Sequence, residues 1–567
     1  MYISLPRGAV KRDPEPVSKA GVSRGWYKVY PKGFACAGEE ATTDPENVVL
    51  KAGSIVRPNP KTAMPYRYGF VRATLPLYLR PPTAKEQYAS EMSLKEHLET
   101  WRKQPDELNK VILGSYDVPV DSRGVPIVTK KVGDLNHPTT QWTQGELFGG
   151  KGDSDPIPFW LDGGRKIPNL ADFKVPEYAV FADRARRHTG LAFVGSFQMG
   201  PEGLDRRFGI TTDMRLAPTS KVKPDTGSPW HGLELVDPAK SPPLPFAWVR
   251  TSGAHAYKFG DDTPKAKGEL EKRSIVILTG RKKKGPDGYY WEMKNGLWIR
   301  QSEAGVVRQP DEWPEPSKSG KKWLEVSIEN QTLIMWEGQK PVYATLVSTG
   351  QDGMKDPKTT KSTVMGNFSI KSKHITATMD SNERSGQSGG KRPEVSSARE
   401  GKDDDEPRAR KSKGDKGDKG DKGDKGERSS AKAKSSKEDK ESNKSLKQKN
   451  IEKGRDPEYG VTKRRGEGTF WLRDVPYVQF FEKAYALHVA YWHDVFGIAR
   501  SHGCINLSPI DGRWIFQWTD PPVPDGWHGI IAGADMGEGT PVLVHPLLPL
   551  NARSSGSLAP DYSNAGV

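Results

Sequence analysis

The stretch YALHVAYWHDVFGIARSHGCIN, residues 485–506, decides how the chain is read. It opens as a strand. Tyr485, Leu487 and Val489 fall on one face and Ala486 and His488 on the other, as the period of two requires. It holds one of the chain's two cysteines, Cys504, and three of its eleven histidines, His488, His493 and His502. A thiol with an imidazole nearby is the minimal machinery for acyl transfer: the thiolate attacks, and the imidazole takes and returns the proton. Gly503 lets the backbone turn sharply and lets a substrate approach closely. The Gly503 and Cys504 amides at such a turn are candidates for holding an oxyanion. A zinc site is the competing reading, because His488, His493, His502 and Cys504 are the usual ligand types. Against it, the step from His488 to His493 on a straight strand puts the two on opposite faces.

Working outward, Ser508-Pro509-Ile510-Asp511 reads as a helix start, with Ser as N-cap, Pro at the first position and Asp in the first turn. Arg513 to Trp518 continues the helix and Asp520-Pro521-Pro522 stops it. Thr540 to His545 is a last strand. Upstream, Val475 to Phe481 leads into the His488 strand. Further back, Trp323 to Ile328, Thr332 to Trp336 and Pro341 to Val347 form a meander around turns at Asn330-Gln331 and Glu337-Gly338. Ser348-Thr349-Gly350, a polar loop with Thr360 and Thr363, and the strand Gly366 to Ile370 follow.

The run Ser501-His502-Gly503-Cys504-Ile505-Asn506, with His488 upstream, resembles the signature of the L,D-transpeptidase (YkuD-like) catalytic domain. The resemblance takes in Ala486-Leu487-His488, Tyr491-Trp492-His493, Phe496-Gly497 and Arg500, and the Ser-Thr-Gly and Gly-x-Phe strands of the meander. It covers residues 321–548 around an insertion. The chain departs from it at Val489, where a small residue is usual, and at the loop holding Thr360 and Thr363, which lacks the family's prolines. The resemblance implies a mainly β catalytic domain, a sandwich or meander with a short helix after the cysteine. It makes Cys504 the nucleophile and His488 the acid/base, with a backbone carbonyl just after the histidine orienting the ring. His502 matches the second histidine of the motif and is expected to shape the thiol's surroundings. Ser501 and Gly503 belong to the same turn. Arg500 is a candidate for a substrate carboxylate, since its fork suits one. Asn506 is expected to brace the turn through backbone bonds, and Tyr491, Trp492 and His493 to line the substrate groove.

The implied substrate is the stem peptide of peptidoglycan, cut before its terminal D-alanine. The acyl group passes to an amine of a second stem peptide, giving a 3-3 cross-link. Water as acceptor would make the same site an L,D-carboxypeptidase, and a protein lysine would make it an anchor of proteins to the wall. A wall-binding or structural protein with a decayed catalytic domain is the rival from another class. No cofactor and no metal are implied. The expected location is the periplasm or cell wall, yet the N-terminus MYISLPRGAVKRDPEP lacks the apolar core of a signal peptide.

The chain's 567 residues allow several domains. A hydrophobic share of 34% is low for a wholly globular chain. No apolar run approaches the ~20 residues of a membrane span. The net charge of +15 comes without a nucleic-acid recognition motif, so no nucleic-acid partner is expected. Two distant cysteines make no disulfide framework, and Cys36 reads as a small buried residue. Residues 1–64 read as a small β module resembling SH3-type wall-binding domains, a packed extension being an equal alternative. Residues 65–320 read as one or two β-rich accessory domains. Within them residues 65–79 suit a strand pair, 84–110 a helix, and 170–187 a further helical stretch. The catalytic domain is expected over 321–380 and 454–548. Between its halves, residues 381–453 hold a Gly-Asp-Lys repeat without apolar periodicity and are expected to be disordered. Their basic excess is a candidate contact for anionic wall polymers. Residues 549–567 read as a disordered tail.

Overall fold

The computed structural model describes residues 2–103, 147–149, 155–168, 176, 178–380 and 471–546, less short breaks at 6–7, 23, 31, 38–40 and 261–262. The expectations for 381–453 and for the tail lie outside the described residues. The described residues belong to one compact unit, Met1–Glu383 with Gly454–Val567. They are mainly β.

Two sheets face each other across a shared core. The first has six strands, in the order Leu233–Glu234, Lys340–Leu346, Thr332–Glu337, Lys322–Ser327, Pro541–His545 and Gly366–Ser369. Its meander is antiparallel, whereas Lys322–Ser327 and Pro541–His545 run parallel, with Val326 opposite Val544. A strand near the chain's end therefore closes against the first strand of the domain. The second sheet carries Ser372–Asp380, Trp471–Glu482, Tyr485–Val489 and Ile505–Leu507. Leu324, Leu333 and Met335 from the first sheet and Phe481, Leu487 and Leu507 from the second are fully buried in one cluster between them. Trp514 and Ile515 of the helix Pro509–Trp518 join that cluster. Ser508 caps this helix, its hydroxyl accepting the Asp511 N–H at 3.1 Å, with Pro509 in its first turn.

Strands from the accessory region extend the second sheet. Gly190–Gln198 pairs in parallel with Trp471–Glu482 at Gly190 and Leu472. Beyond it follow Arg207–Thr211, Leu216–Pro218, Leu75–Tyr78 and Phe181–Ala185. A separate seven-stranded sheet spans residues 246–307, with a turn at Lys294-Asn295-Gly296 between two of its strands. Phe246, Trp248 and Val307 of that sheet pack with Trp323, Ile334 and Trp336 on the outer face of the six-stranded sheet.

The structure departs from the sequence reading in four places. Arg67–Val71 and Leu75–Tyr78 do not pair with each other; the first joins Gly190–Gln198 and Val222–Asp225, the second Phe181–Ala185 and Leu216–Pro218. The 84–110 helix is two helices, Ala84–Ser90 and Leu94–Lys103, and 104–110 lies outside the described residues. It breaks at 91–93, where Glu91 is drawn inward to Arg206 and Lys221 and Ser93 takes a positive φ of 50°. Within 170–187 the described residues hold the strand Phe181–Ala185, recruited by cross-strand pairing. Residues 2–64 hold two two-stranded sheets, linked by the bridges of Arg12 to Val29 and of Ser18 to Trp26, and the helix Val48–Gly53, with strands of three or four residues. Cys36 ends one of those strands and is partly exposed.

Candidate active site

The site rests on a short parallel ladder. Tyr485–Val489 and Ile505–Leu507 pair with Leu487 opposite Ile505, His488 opposite Asn506 and Val489 opposite Leu507. Opposed residues of a parallel pair share a face, and the period of two returns Cys504 to the face of His488 and Asn506. Cys504 sits on the bend that enters the Ile505–Leu507 strand, one residue before the register begins. The thiol's surroundings agree with this register. Cys504 Sγ lies 3.6 Å from the Ala484 carbonyl, and the Ala486 N–H is directed at it. Cys504 is partly exposed.

His488 is buried, and its Nδ1 donates to its neighbour's carbonyl, Val489 O, at 3.0 Å. This bond fixes the neutral tautomer, so Nε2 keeps its lone pair. Trp492 lies against the ring, 5.8 Å between centroids and tilted by 31°. Burial lowers the His488 pKa to about 4 and raises that of Cys504 to about 11, against a smaller downward pull on the thiol from the Ala486 N–H. These shifts favour thiol and imidazole over thiolate and imidazolium. Such a pair acts by general-base transfer at the moment of attack.

The turn before Cys504 is tied from both sides. Ser501 Oγ accepts the Gly503 N–H at 3.0 Å and donates to the Cys504 carbonyl. Gly503 has φ +131°, and a Cβ there would lie 2.8 Å from the Tyr485 ring, so no larger residue fits without displacement. Its carbonyl accepts from Thr363 Oγ1 at 2.7 Å, and the same oxygen accepts the Gly350 N–H at 2.8 Å. The Thr349 carbonyl accepts from both Arg500 N and Ser501 N, at 2.8 and 2.9 Å. Ser348 exchanges two backbone bonds with Asn506, at 2.9 and 3.0 Å. Since Gly503 N–H is committed to Ser501, the Cys504 N–H is the better candidate for an oxyanion donor.

Other candidate residues are placed differently from the sequence reading. Tyr491 is fully buried and lies 4.3 Å, ring to ring, from Tyr68; it anchors the accessory strands and lines no groove. His493 is fully buried too. The Val495 N–H reaches its Nδ1 at 3.4 Å, and the Asn506 side-chain amide faces its Nε2 at 3.1 Å. Burial, then Arg500 and His488, hold its pKa well below the usual value. Both nitrogens being engaged, His493 is turned away from the ligand set that a zinc site would need. Asn506 thus braces His493 with its side chain and the turn with its backbone. Trp492, Arg500 and His502 are half-buried around the ladder.

Three further residues hold the site and were given no role in it by the sequence reading. Asp494, next to His493, receives Arg273 Nη2 at 2.5 Å and the Ser228 hydroxyl. Gln331 brackets Thr349, its Oε1 accepting Thr349 N–H at 2.9 Å and its Nε2 donating to Thr349 Oγ1 at 2.6 Å. Asp511 is fully buried and accepts from Gly232 N, Tyr343 Oη and Thr345 Oγ1 at 2.6–2.9 Å. A polar residue beside a signature histidine was the only available signal for Asp494; the others depend on partners distant in sequence.

The family model of the YkuD L,D-transpeptidase catalytic domain matches residues 321–544. Among solved structures the chain is similar to the L,D-transpeptidase from Xylanimonas cellulosilytica, at 14% identity over 42% of this chain and 64% of that one, TM-score 0.18. It is also similar to the L,D-transpeptidase from Mycobacterium smegmatis, at 13% identity over 53% and 94%, TM-score 0.20. L,D-transpeptidase 3 from Mycobacterium tuberculosis matches at 11% identity over 55% and 88%, TM-score 0.19. No curated protein matches the chain. The matched segment holds His488 on one strand of the ladder and Cys504 on the turn entering the other, and the accessory strands are continuous with its sheet.

Proposed function

We propose that the protein is a peptidoglycan L,D-transpeptidase whose nucleophile is Cys504 and whose acid/base is His488. The observation that carries this reading is the parallel register, which sets both side chains on one face while Val489 O holds the imidazole with Nε2 free of its proton. As the sulfur attacks the amide carbonyl preceding the terminal D-alanine, the thiol proton passes to His488 Nε2. The C–N bond breaks, His488 returns the proton to the departing D-alanine amine, and a thioester remains on Cys504. An amine of a second stem peptide then attacks the thioester, loses its proton to His488, and the sulfur leaves as the thiol. The Cys504 N–H supports the carbonyl oxygen in both additions. The site of action is the cell wall or periplasm. Among the described residues no helix is long and apolar enough to cross a membrane.

The test is incubation with disaccharide–tetrapeptide fragments, followed by mass spectrometry, beside Cys504→Ala. Loss of D-alanine with dimers, in the wild type only, supports the transpeptidase. Loss of D-alanine without dimers supports the L,D-carboxypeptidase. No Cys504-dependent change in a folded protein overturns the enzyme reading.

A further inference from the structure

The polar loop of residues 351–361 is tethered beside the thiol and carries charge that the acid/base pair does not use. It starts at Gln351, whose N–H donates to the Ser501 carbonyl at 2.9 Å. Just past its end, Thr363 Oγ1 donates to the Gly503 carbonyl at 2.7 Å. Its middle is held as well, because Tyr485 Oη donates to the Pro357 carbonyl at 3.2 Å. The Tyr485 ring is also what a Cβ at Gly503 would meet at 2.8 Å, so one aromatic ring bridges Pro357 and the residue before Cys504. Cys504 and Asp356 both lie close enough to act electrostatically on the Tyr485 hydroxyl.

The loop holds two carboxylates, Asp352 and Asp356, and three lysines, Lys355, Lys358 and Lys361. The carboxylates shape the loop. Asp352 Oδ2 accepts the Lys361 N–H at 2.8 Å, and Asp356 Oδ1 accepts the Lys358 N–H at 2.9 Å. The lysine ammonium groups are in no ion pair or hydrogen bond among the described residues. Lys355 and Lys358 are exposed and Lys361 is half-buried. Other lysines of the matched segment are paired: Lys321 with Glu538 and Lys371 with Glu482. Three unmatched cations on one tethered loop favour an anion over a neutral group of the same shape.

We propose that this loop selects substrates by the free carboxylate of the residue that leaves from the scissile amide. The inference rests on the reading of the site as one that cuts before a terminal D-alanine. In that substrate the carboxylate carbon is two bonds from the scissile nitrogen, so it enters the neighbourhood of Cys504 together with the carbonyl under attack. Ammonium groups there attract the carboxylate and give it charge-assisted hydrogen bonds. Lysines suit the task because they act as point charges on flexible stems and require no fixed geometry of the ligand. A substrate ending in a carboxamide loses this attraction. The loop lysines set specificity and take no part in proton transfer.

The experiment is alkylation of the full chain by iodoacetate and by iodoacetamide, its neutral isostere, with Cys504 and Cys36 resolved by peptide mass spectrometry. The ratio of the two rates cancels the thiol's own reactivity and reads the charge around it. At Cys504 the ratio should exceed that of the urea-unfolded chain by about fivefold. Lys358→Gln should lower it about twofold, the scale of one exposed charge pair, and Lys355→Gln, Lys358→Gln and Lys361→Gln combined should bring it to the unfolded value. High salt should do the same to the wild type. A ratio no higher than in the unfolded chain, or one that the folded triple variant keeps, overturns the proposal. The companion measurement is turnover of a tetrapeptide ending in D-alanine against its terminal carboxamide. The wild type should favour the free acid, mainly through KM, and the triple variant should favour it less. Equal turnover of the two peptides overturns the assignment to the terminal carboxylate. Turnover of neither, with the alkylation ratio as expected, overturns the L,D-transpeptidase reading and supports the anion selectivity of the loop.

Discussion

His488 and Cys504 are placed by a ladder of three residue pairs, while the loop between them is placed by segments from elsewhere in the chain. The ladder is local: its strands lie within residues 485–507, and their faces follow from alternation. The loop is held from far away. Tyr491 lies on Tyr68, Asp494 takes Arg273 and Ser228, and Gly497, at φ +97°, sits so close to Arg250 that a Cβ would lie 2.8 Å from its side chain. The same cysteine thus depends on a strand pair for its direction and on the accessory region for the path of the chain that brings it there. The accessory strands are part of the site's frame, and cutting them away is expected to disturb it.

Substitutions on the ladder should have the largest effect on chemistry and the least on folding. Cys504→Ala abolishes product formation, and His488→Ala lowers kcat about 10²–10⁴-fold, the usual contribution of a positioned acid/base. Circular dichroism should stay that of the wild type in both. A comparable loss of fold in His488→Ala would erase the distinction between ladder and loop.

Substitutions at the clamp should show the reverse order. Arg273→Ala leaves the buried Asp494 carboxylate without its cation and costs about 3 kcal/mol by denaturant unfolding. Its activity at a temperature where it stays folded falls less than that of His488→Ala. Thr363→Val is intermediate. It strips both the Gly350 N–H and the Gly503 carbonyl of a partner, costing about 1–3 kcal/mol. Because Gly503 precedes the proposed nucleophile, kcat should fall more than KM rises.

The smallest effect is expected from pH. With His488 lowered to about 4 and Cys504 raised to about 11, the competent neutral pair spans everything between. The kcat/KM of the free enzyme should be flat from about pH 5 to 10, dropping on the acid side as His488 takes up a proton. A limb near pH 6–7 would indicate a preformed thiolate–imidazolium pair instead. Stability follows the same sign. His488 is depressed, so the unfolded chain binds the proton first, and this contribution is lost as pH falls from about 6.5 toward 4.

What was legible in the sequence follows the same division. The meander from Lys322 to Leu346, the His488 strand and the Ser508-capped helix declare themselves by alternation and capping, which act over a few residues. The partners of Arg67–Val71 and the strand at Phe181–Ala185 did not, because their pairing is with strands elsewhere in the sheet. Within the site, Cys504 and His488 were singled out by the resemblance of their motif, and strand alternation allowed the two to come near each other. Tyr491 and His493 were misplaced as groove residues because their burial comes from Tyr68, Phe70 and Asn506, contacts that periodicity does not carry. Asp494 and Thr363 were legible only as polar residues in loops.

The central claim is that Cys504 carries the acyl group. The direct measurement is acid quenching of a reaction with a tetrapeptide substrate, followed by proteolysis and mass spectrometry of the cysteine peptides. The account predicts a stem-peptide acyl adduct on Cys504, absent from Cys504→Ala and strongly reduced in His488→Ala. No adduct on folded protein turning over substrate, or an adduct on Cys36, would contradict it.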